Sequence, residues 1–226
     1  MPAEAVVRTF GVEADIDRGR RFALVALGAW ALEKAEGVLH YLFLRRYQSL
    51  LDVSAVVFYW VLPLVIVVLL EKRAVRSLGL TVRRDQWLRF SLYAVAGLVF
   101  PALIVGVDRD LLLELLQQIA FIGLPEEVFF RGYLMARLCN WLGRWRGLGI
   151  SAVLFGLGHF ITLVSQHGLR HPLSEAGVGL YTAFGGLLLG YVFLRSQSVV
   201  PGAIIHVAAN AYLYRLLERA GKVIAR

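Results

Sequence analysis

Long stretches without a charged side chain constrain the fold of this chain more than any other feature of its sequence. One of them, Val53 to Leu70, holds about 18 residues, close to the roughly 17–20 that an α-helix needs to cross a bilayer. In lipid every backbone N–H and C=O must bond within the protein, which a helix achieves within one segment. Pro63 is expected to kink this helix. The sequence therefore predicts an integral membrane protein built of helices.

The composition supports this class. Hydrophobic residues make up 58% of the chain and charged residues only 18%, whereas soluble domains are roughly 45–50% apolar. The net charge of +8 lies mostly in short Lys and Arg runs between apolar segments, the usual pattern of orientation-setting charge. We therefore expect the lipid bilayer, and no nucleic acid, as a partner. Cys139 is the only cysteine, which excludes an intrachain disulfide and a multi-cysteine zinc site.

About seven apolar segments are predicted to be membrane helices. Their approximate bounds are 22–44, 53–70, 87–107, 111–138, 148–164, 176–194 and 199–217. The first contains Glu33, Glu36 and His40 at helical spacing, which indicates either a span whose polar stripe faces inward or an interfacial amphipathic helix. The predicted fold class is an all-α, polytopic membrane helix bundle with its polar groups buried between helices.

The chain divides into four parts by hydropathy. These are a cytoplasmic tail or surface helix (1–21), N-terminal membrane helices (22–107), a membrane domain that contains the polar motifs described below (108–217) and a C-terminal tail (218–226). The N-terminus is polar through Arg21, so no cleavable signal peptide is expected. The loop from Glu71 to Arg89 is the most basic, so this loop is expected on the cytoplasmic side of the membrane. The whole chain is expected to be a multi-pass protein of the cell membrane. In this orientation the basic residues at the end of the chain lie on the outer side, which disagrees with the positive-inside rule. They are Arg215, Arg219, Lys222 and Arg226.

Three ionisable residues lie inside the fourth apolar segment, near an expected break at Gly123 and Pro125. Glu126, Glu127 and Arg131 stand where an ionised group costs on the order of 3 kcal/mol or more, so such residues usually mark functional sites. Glu127 and Arg131 are four residues apart and should form an ion pair. Glu126 lies about 100° further round the helix, which leaves it free to face a cavity.

Other polar side chains occur at a similar depth. With a rise of about 1.5 Å per residue, Glu126 lies roughly 16 Å, His159 roughly 18 Å and Asn210 roughly 16 Å from the cytoplasmic ends of their helices, with His206 one turn shallower. His206 and Asn210 share one helix face. We expect these groups to converge on one hydrated pocket. The alternative is that they bridge helices by hydrogen bonds.

This set of side chains is suited to hydrolysis. A carboxylate beside imidazoles can act as general base toward water, and His206 with Asn210 can donate hydrogen bonds to an oxyanion. The same chemistry could instead be zinc-dependent, with Glu126, His159 and His206 as ligands. His167 and His171 form a second, weaker metal-binding pair in a loop, and the Gly185–Gly190 stretch is expected to pack helices. The sequence contains no His-Glu-x-x-His, Gly-x-Ser-x-Gly or Gly-x-Gly-Asp motif.

Three motifs resemble one known family. Glu126-Glu127-x-x-x-Arg131, Phe155-x-x-x-His159 and His206-x-x-x-Asn210 are similar to the motifs of the CAAX protease and bacteriocin-processing family, which includes type II CAAX prenyl endopeptidases and Abi proteins. The resemblance covers roughly residues 100 to 217. It implies that Glu126 and His159 activate water and that His206 and Asn210 form the oxyanion hole. It also implies a glutamate-type mechanism without a metal, with Glu127, Arg131 and Phe155 in supporting positions.

The sequence thus predicts an intramembrane endopeptidase acting on a membrane-anchored peptide or protein. The substrate would be a prenylated C-terminus, a bacteriocin-type leader or a C-terminal sorting tail. The main alternative is a non-catalytic immunity or scaffold protein that keeps the polar cluster for helix packing. A transporter is a third interpretation, which the lack of a visible inverted repeat disfavours.

Overall fold

The computed structural model describes residues 16–44, 53–81, 87–168 and 171–224, and within these ranges the chain is helical and contains no β-strand. The expected all-α class is therefore confirmed. Seven helical segments follow one another: α1 (Ile16–Leu39, then a π-helical turn His40–Leu44), α2 (Val53–Leu70), α3 (Trp87–Ala94, Val95–Val99, Phe100–Val105), α4 (Arg109–Gln117, Gln118–Ile122, Gly123–Glu127, Val128–Met135, Ala136–Leu142), α5 (Arg144–His167), α6 (Pro172–Ser196) and α7 (Val200–Ile224).

Three helices are long and apolar enough to cross a membrane, namely α2, α5 and α6. A fourth stretch, Phe90–Val105, is apolar but shorter. The count of about seven spans stays a prediction. Many large apolar side chains are exposed on the outside of the helices, among them Leu69, Leu103, Leu173 and Leu180. Soluble monomers rarely expose apolar patches of this extent, so these surfaces are suited to contact with lipid.

Some residues named above lie outside the described ranges. They are residues 1–15 of the predicted tail, residues 82–86 of the basic loop and Arg226 of the C-terminal tail. Residues 16–21, predicted as tail, belong to the first turns of α1.

The sequence predicts a basic turn from Arg137 to Arg146 between the fourth and fifth helices, and the turn in the structure is shorter. Helix α4 continues to Leu142, and Gly143, with a positive φ of 84°, alone separates it from α5. Arg137 is buried, and its guanidinium donates to Glu71 Oε2 at 2.6 Å. The physical reason is that Glu71, at the end of α2, supplies a buried partner, so this cation lies inside the bundle rather than in water. The α5–α6 loop is likewise shorter than predicted, because α5 reaches His167 and α6 begins at Pro172.

Helix α4 is the central helix of the bundle. Every residue from Glu127 to Cys139 is buried, on all sides of the helix, which is the pattern of an element surrounded by others. The largest cluster of buried apolar residues packs around it from α1, α2, α5 and α6. Its members include Ala23, Ala26, Ala29, Val67, Leu78, Phe129, Leu134, Leu148, Phe155 and Phe193.

Small residues allow the close packing of α5 on α6. A Cβ at Gly186 would contact Ala152 and Phe155, and one at Gly190 would lie 3.0 Å from the Met135 sulfur. The packing role predicted for these two glycines is confirmed. It is wrong for Gly185, where an added Cβ would meet nothing within 4 Å among the described residues.

The two ends of the bundle differ in charge. The Arg18 and Arg73 guanidinium carbons lie 5.5 Å and 5.6 Å from the centroid of the Phe22 ring, and the Arg20 guanidinium lies 6.0 Å from that of Trp141. The start of α1, the α2–α3 loop and the α4–α5 turn therefore share one end of the bundle. We call this end, formed by residues 16–21, 71–81 and 143–146, the basic face. The opposite face is formed by the end of α1 and by residues 106–110, 167–168 and 171–172.

Candidate active site

A break in α4 positions the two glutamates. Ile122 leaves the helical conformation, with φ −123° and ψ −79°, and this confirms the break expected near Gly123 and Pro125. Pro125 has no N–H to donate and its ring displaces the preceding turn. The freed carbonyl of Ala120, five residues earlier, accepts from the Trp60 indole N–H at 3.1 Å. In membrane helices such carbonyls are commonly satisfied by a neighbouring helix.

Two glycines bring α4 close to α7. A Cβ at Gly123 would lie 2.8 Å from Val207 Cγ2, and a Cβ at Gly202 would lie 2.8 Å from Glu127 Oε2. Real Cβ atoms do not approach other atoms so closely. Glycine at both positions therefore lets the Glu127 carboxylate lie directly against α7, within reach of His206.

Glu127, Arg131 and His206 form a buried polar cluster. Arg131 Nη1 lies 2.8 Å from Glu127 Oε1, so the predicted i, i+4 ion pair is present. His206 Nδ1 lies 3.0 Å from the same carboxylate oxygen. The Arg131 guanidinium also stacks over the Phe155 ring, 4.4 Å from its centroid, a cation–π contact. Because the carboxylate can only accept, Nδ1 is the nitrogen of His206 that carries a proton toward it.

Glu126 lies between this cluster and a cavity. Its side chain is 14% exposed, and its Oε2 is 3.7 Å from His206 Nε2. Glu126 and His159 line the same cavity of about 330 Å³, far more than the roughly 10–15 Å³ that one water molecule requires. The carboxylate thus faces a space large enough for water and a peptide segment, and does not point into lipid.

His159 has one ring nitrogen committed to the backbone. Its Nδ1 lies 3.0 Å from the carbonyl oxygen of Phe155, which can only accept, so Nδ1 carries the proton and Nε2 of the neutral ring keeps a lone pair. The Phe155 ring packs edge-on against both imidazoles, with centroids 4.6 Å from His159 and 6.0 Å from His206. Phe155 therefore fixes the spacing of the two histidines.

Helices α1 and α2 supply the other wall of the cavity. Tyr59 donates to Glu33 Oε1 at 3.0 Å, and the Lys34 ammonium lies 2.9 Å from Glu33 Oε2. Glu33, Lys34, Glu36 and Tyr59 all line the cavity. The polar stripe of the first helix therefore faces inward, as the first of its two interpretations predicts. Sequence reasoning missed Lys34 and Tyr59, although a tyrosine in the middle of an apolar run was an available signal.

Asn210, one helical turn after His206, has its described contact with a residue outside the predicted set. Its Nδ2 donates to Gln118 Oε1 at 2.9 Å, and the side chain is exposed. The described contacts of Asn210 include neither Glu126 nor His159. Its part in an oxyanion hole stays a prediction. Gln118, one turn before the break in α4, is a neighbour that the sequence did not indicate.

The described side chains that could ligate a metal ion do not come together around one point. Among the residues that the structure describes, no three His, Cys, Asp or Glu side chains are grouped so that they could hold one. This applies to Glu126, His159 and His206, and to the loop pair His167 and His171. His167 Nδ1 instead lies 3.8 Å from the buried carboxylate of Glu175.

The fold and the site define an all-helical membrane protein with a carboxylate and an imidazole facing one internal cavity. Residues 108–212 match the family model described as Type II CAAX prenyl endopeptidase Rce1-like. The match contains all three motifs and confirms the resemblance predicted from them. This is a family of membrane proteases, and it suggests CAAX-type intramembrane endopeptidase activity in general. No curated protein and no solved structure matches the chain.

Proposed function

We propose that this protein is a glutamate-type intramembrane endopeptidase that hydrolyses a peptide bond of a membrane-associated substrate. The observation that carries the proposal is the position of Glu126. Its carboxylate shares a cavity with His159 and lies 3.7 Å from the His206 ring, inside a bundle whose outer surface is apolar. The family match supports a protease, while the residue roles that follow are our proposal.

In the first step, Glu126 accepts a proton from a water molecule in the cavity. The water oxygen attacks the carbonyl carbon of the scissile peptide bond, and the C=O electrons move onto its oxygen. His159 Nε2, with its lone pair free, accepts a hydrogen bond from the second hydrogen, which stays on the water oxygen, and so orients the water. The carboxylate and imidazole then act as a pair, and a well-placed general base is worth about 10²–10⁴-fold in rate.

In the second step, the oxyanion collapses and the C–N bond breaks. Glu126 returns its proton to the leaving amine, so the atoms and charges balance. His206 and Asn210 are the proposed oxyanion donors. His206 can donate from Nε2 when doubly protonated, a state favoured by the carboxylates of Glu126 and Glu127 at 3.7 and 3.0 Å. Oxyanion donors of this kind contribute about 10²–10³-fold.

We further propose that no metal is needed and that the substrate is a membrane-anchored peptide or protein. The prenylated C-terminus, the bacteriocin-type leader and the C-terminal sorting tail all place a scissile bond near a membrane. Each therefore meets the requirement that a cavity at mid-bundle imposes.

The test is Glu126→Gln, purified in detergent and reconstituted with a panel of lipidated and tail-anchored reporter peptides whose new termini are found by mass spectrometry. We expect at least a 10²-fold loss of cleavage with unchanged thermal stability. Glu114→Gln is the matched control, because it removes the same charge from the same helix, at a side chain that contacts Arg215 rather than the cavity. Equal cleavage by wild type and Glu126→Gln would contradict the proposal.

A non-catalytic scaffold is the second candidate. The observation that favours it is the burial of the Glu127, Arg131 and His206 cluster, which joins α4 to α7 whatever Glu126 does. On this account wild type cleaves no reporter, and Glu126→Gln changes only stability.

A further inference from the structure

The cavity occupies one half of the bundle only. On α1 its lining residues run from Glu33 to Tyr41, near the end of that helix, and on α5 they run from His159 to Gln166. On α2, which runs in the opposite direction, they are residues 54–59, near its start. Every one of these stretches lies between the level of Glu126 and the opposite face. The cavity therefore extends toward the opposite face and away from the basic face.

The other half of the same region is closely packed. Between Glu126 and the basic face, α4 is buried on all sides from Val128 to Cys139. Around it lie the first part of α1, the end of α2 and the end of α6, which supply Ala23, Ala26, Ala29, Ile66, Val67, Phe193 and Leu194 to the core cluster. The buried pair of Glu71 and Arg137 lies at the same end.

The outer part of the cavity carries polar side chains among apolar ones. Glu36, Tyr41, Ser54, Thr162 and Gln166 line it, and Gln166 is exposed. Side chains of these types can donate and accept hydrogen bonds along an extended peptide backbone. Apolar lining residues such as Phe58 and Leu163 can contact the side chains of the same segment, so the outer part is suited to a polypeptide.

We propose that the substrate peptide reaches Glu126 from the opposite face, through the space between α1, α2 and α5. This inference rests on the proposed function and adds the side of the membrane from which the peptidase takes its substrate. The basic face is cytoplasmic if the positive-inside rule holds, so the substrate is a polypeptide segment presented on the extracytoplasmic face. A prenylated C-terminus displayed in the cytoplasm meets the closely packed end. A leader or sorting tail that has crossed the membrane meets the open one.

The experiment measures the access of a membrane-impermeant thiol reagent to single cysteines, in intact cells and after permeabilisation. The background is Cys139→Ala, a change at a buried position. Gln166→Cys reports the mouth of the cavity, Thr162→Cys its interior, and Arg76→Cys the basic face, where that side chain is exposed. We expect the first two to react in intact cells. Arg76→Cys should react at least tenfold faster after permeabilisation than in intact cells.

Reaction of Arg76→Cys, but not of Gln166→Cys and Thr162→Cys, in intact cells would overturn the proposal. A Thr162→Cys that reacts only after permeabilisation would also overturn it. So would a Thr162→Cys that reacts from neither side in folded protein. This readout does not depend on catalysis, so it can fail while Glu126→Gln still abolishes cleavage, and it can succeed if no reporter is cleaved. Where cleavage is found, labelling Gln166→Cys should lower it at least tenfold, and labelling Arg76→Cys should leave it unchanged.

Discussion

The Nε2 atom of His206 lies 3.7 Å from the Glu126 carboxylate, in a ring whose other nitrogen is 3.0 Å from Glu127. One imidazole therefore couples a cavity-facing carboxylate to a fully buried ion pair. With Glu126, Glu127 and Arg131 ionised, this cluster carries one net negative charge, and a proton on His206 neutralises it. Buried charges persist only when they are paired in this way, so the groups should respond to mutation as a unit.

His159→Ala should lower the cleavage rate by about 10²–10⁴-fold. Its Nε2 is the nitrogen left free by the bond from Nδ1 to the Phe155 carbonyl. Steady-state kinetics should show the loss in kcat rather than in KM, because orientation of water affects the transition state. A loss confined to KM would assign His159 to substrate binding instead.

Glu127→Gln should destabilise the fold by about 3–5 kcal/mol, because it leaves the buried Arg131 cation unpaired. The measurement is denaturant unfolding followed by tryptophan fluorescence. Glu71→Gln is the matched control, since it leaves Arg137 unpaired at a similar burial but far from the cavity. Both variants should lose stability, but only Glu127→Gln should lose cleavage per folded molecule. Equal specific activities would show that Glu127 has no part in positioning His206.

Asn210→Ala should lower kcat by about 10²–10³-fold if Asn210 donates to the oxyanion. Gln118→Leu should then cause a smaller loss, and Gln118→Glu should restore part of it, because a carboxylate can still accept from Asn210 Nδ2. Wild-type kinetics in Asn210→Ala would remove this residue from the mechanism.

The contribution of Asp108 to stability should disappear in acid. The N–H of Leu111, and next Arg215 at 2.9 Å, lower the pKa of Asp108 below its ordinary value. A lowered pKa in the folded state means stabilisation that is present above the ordinary pKa of about 4 and is lost as the pH falls through the folded value. The melting temperatures of wild type and Asp108→Asn should differ at pH 7 and converge toward pH 3. A constant difference across this range would contradict the assignment.

Cleavage should survive a strong chelator. This expectation follows from the donor set, because no three described His, Cys, Asp or Glu side chains are grouped to hold a metal. Activity is measured after dialysis against the chelator, with and without added zinc. Loss of cleavage in chelator and its return with zinc would establish Glu126, His159 and His206 as candidates for a metal centre after all.

Much of the site could be predicted from the sequence, because helical periodicity is a local property. A spacing of four residues was sufficient to predict the Glu127–Arg131 pair, and a proline near a glycine was sufficient to predict the break at Ile122. Depth within a membrane is also nearly local, since it follows from distance along a helix. For this reason Glu126, Glu127, Arg131, His159 and His206 could be grouped without coordinates.

The facing of each helix toward its neighbours depends on contacts between distant parts of the chain, and these only the tertiary structure decided. Asn210 was grouped with Glu126 and His159 but its amide donates to Gln118, and Arg137 was predicted in a turn but is buried against Glu71, 66 residues earlier. The side on which the cavity lies was equally absent from the sequence. In lipid, apolar surface is favourable on every side of a helix, so hydropathy identifies the helices but does not select their partners. That selection came from close packing at glycines and from the pairing of buried charges.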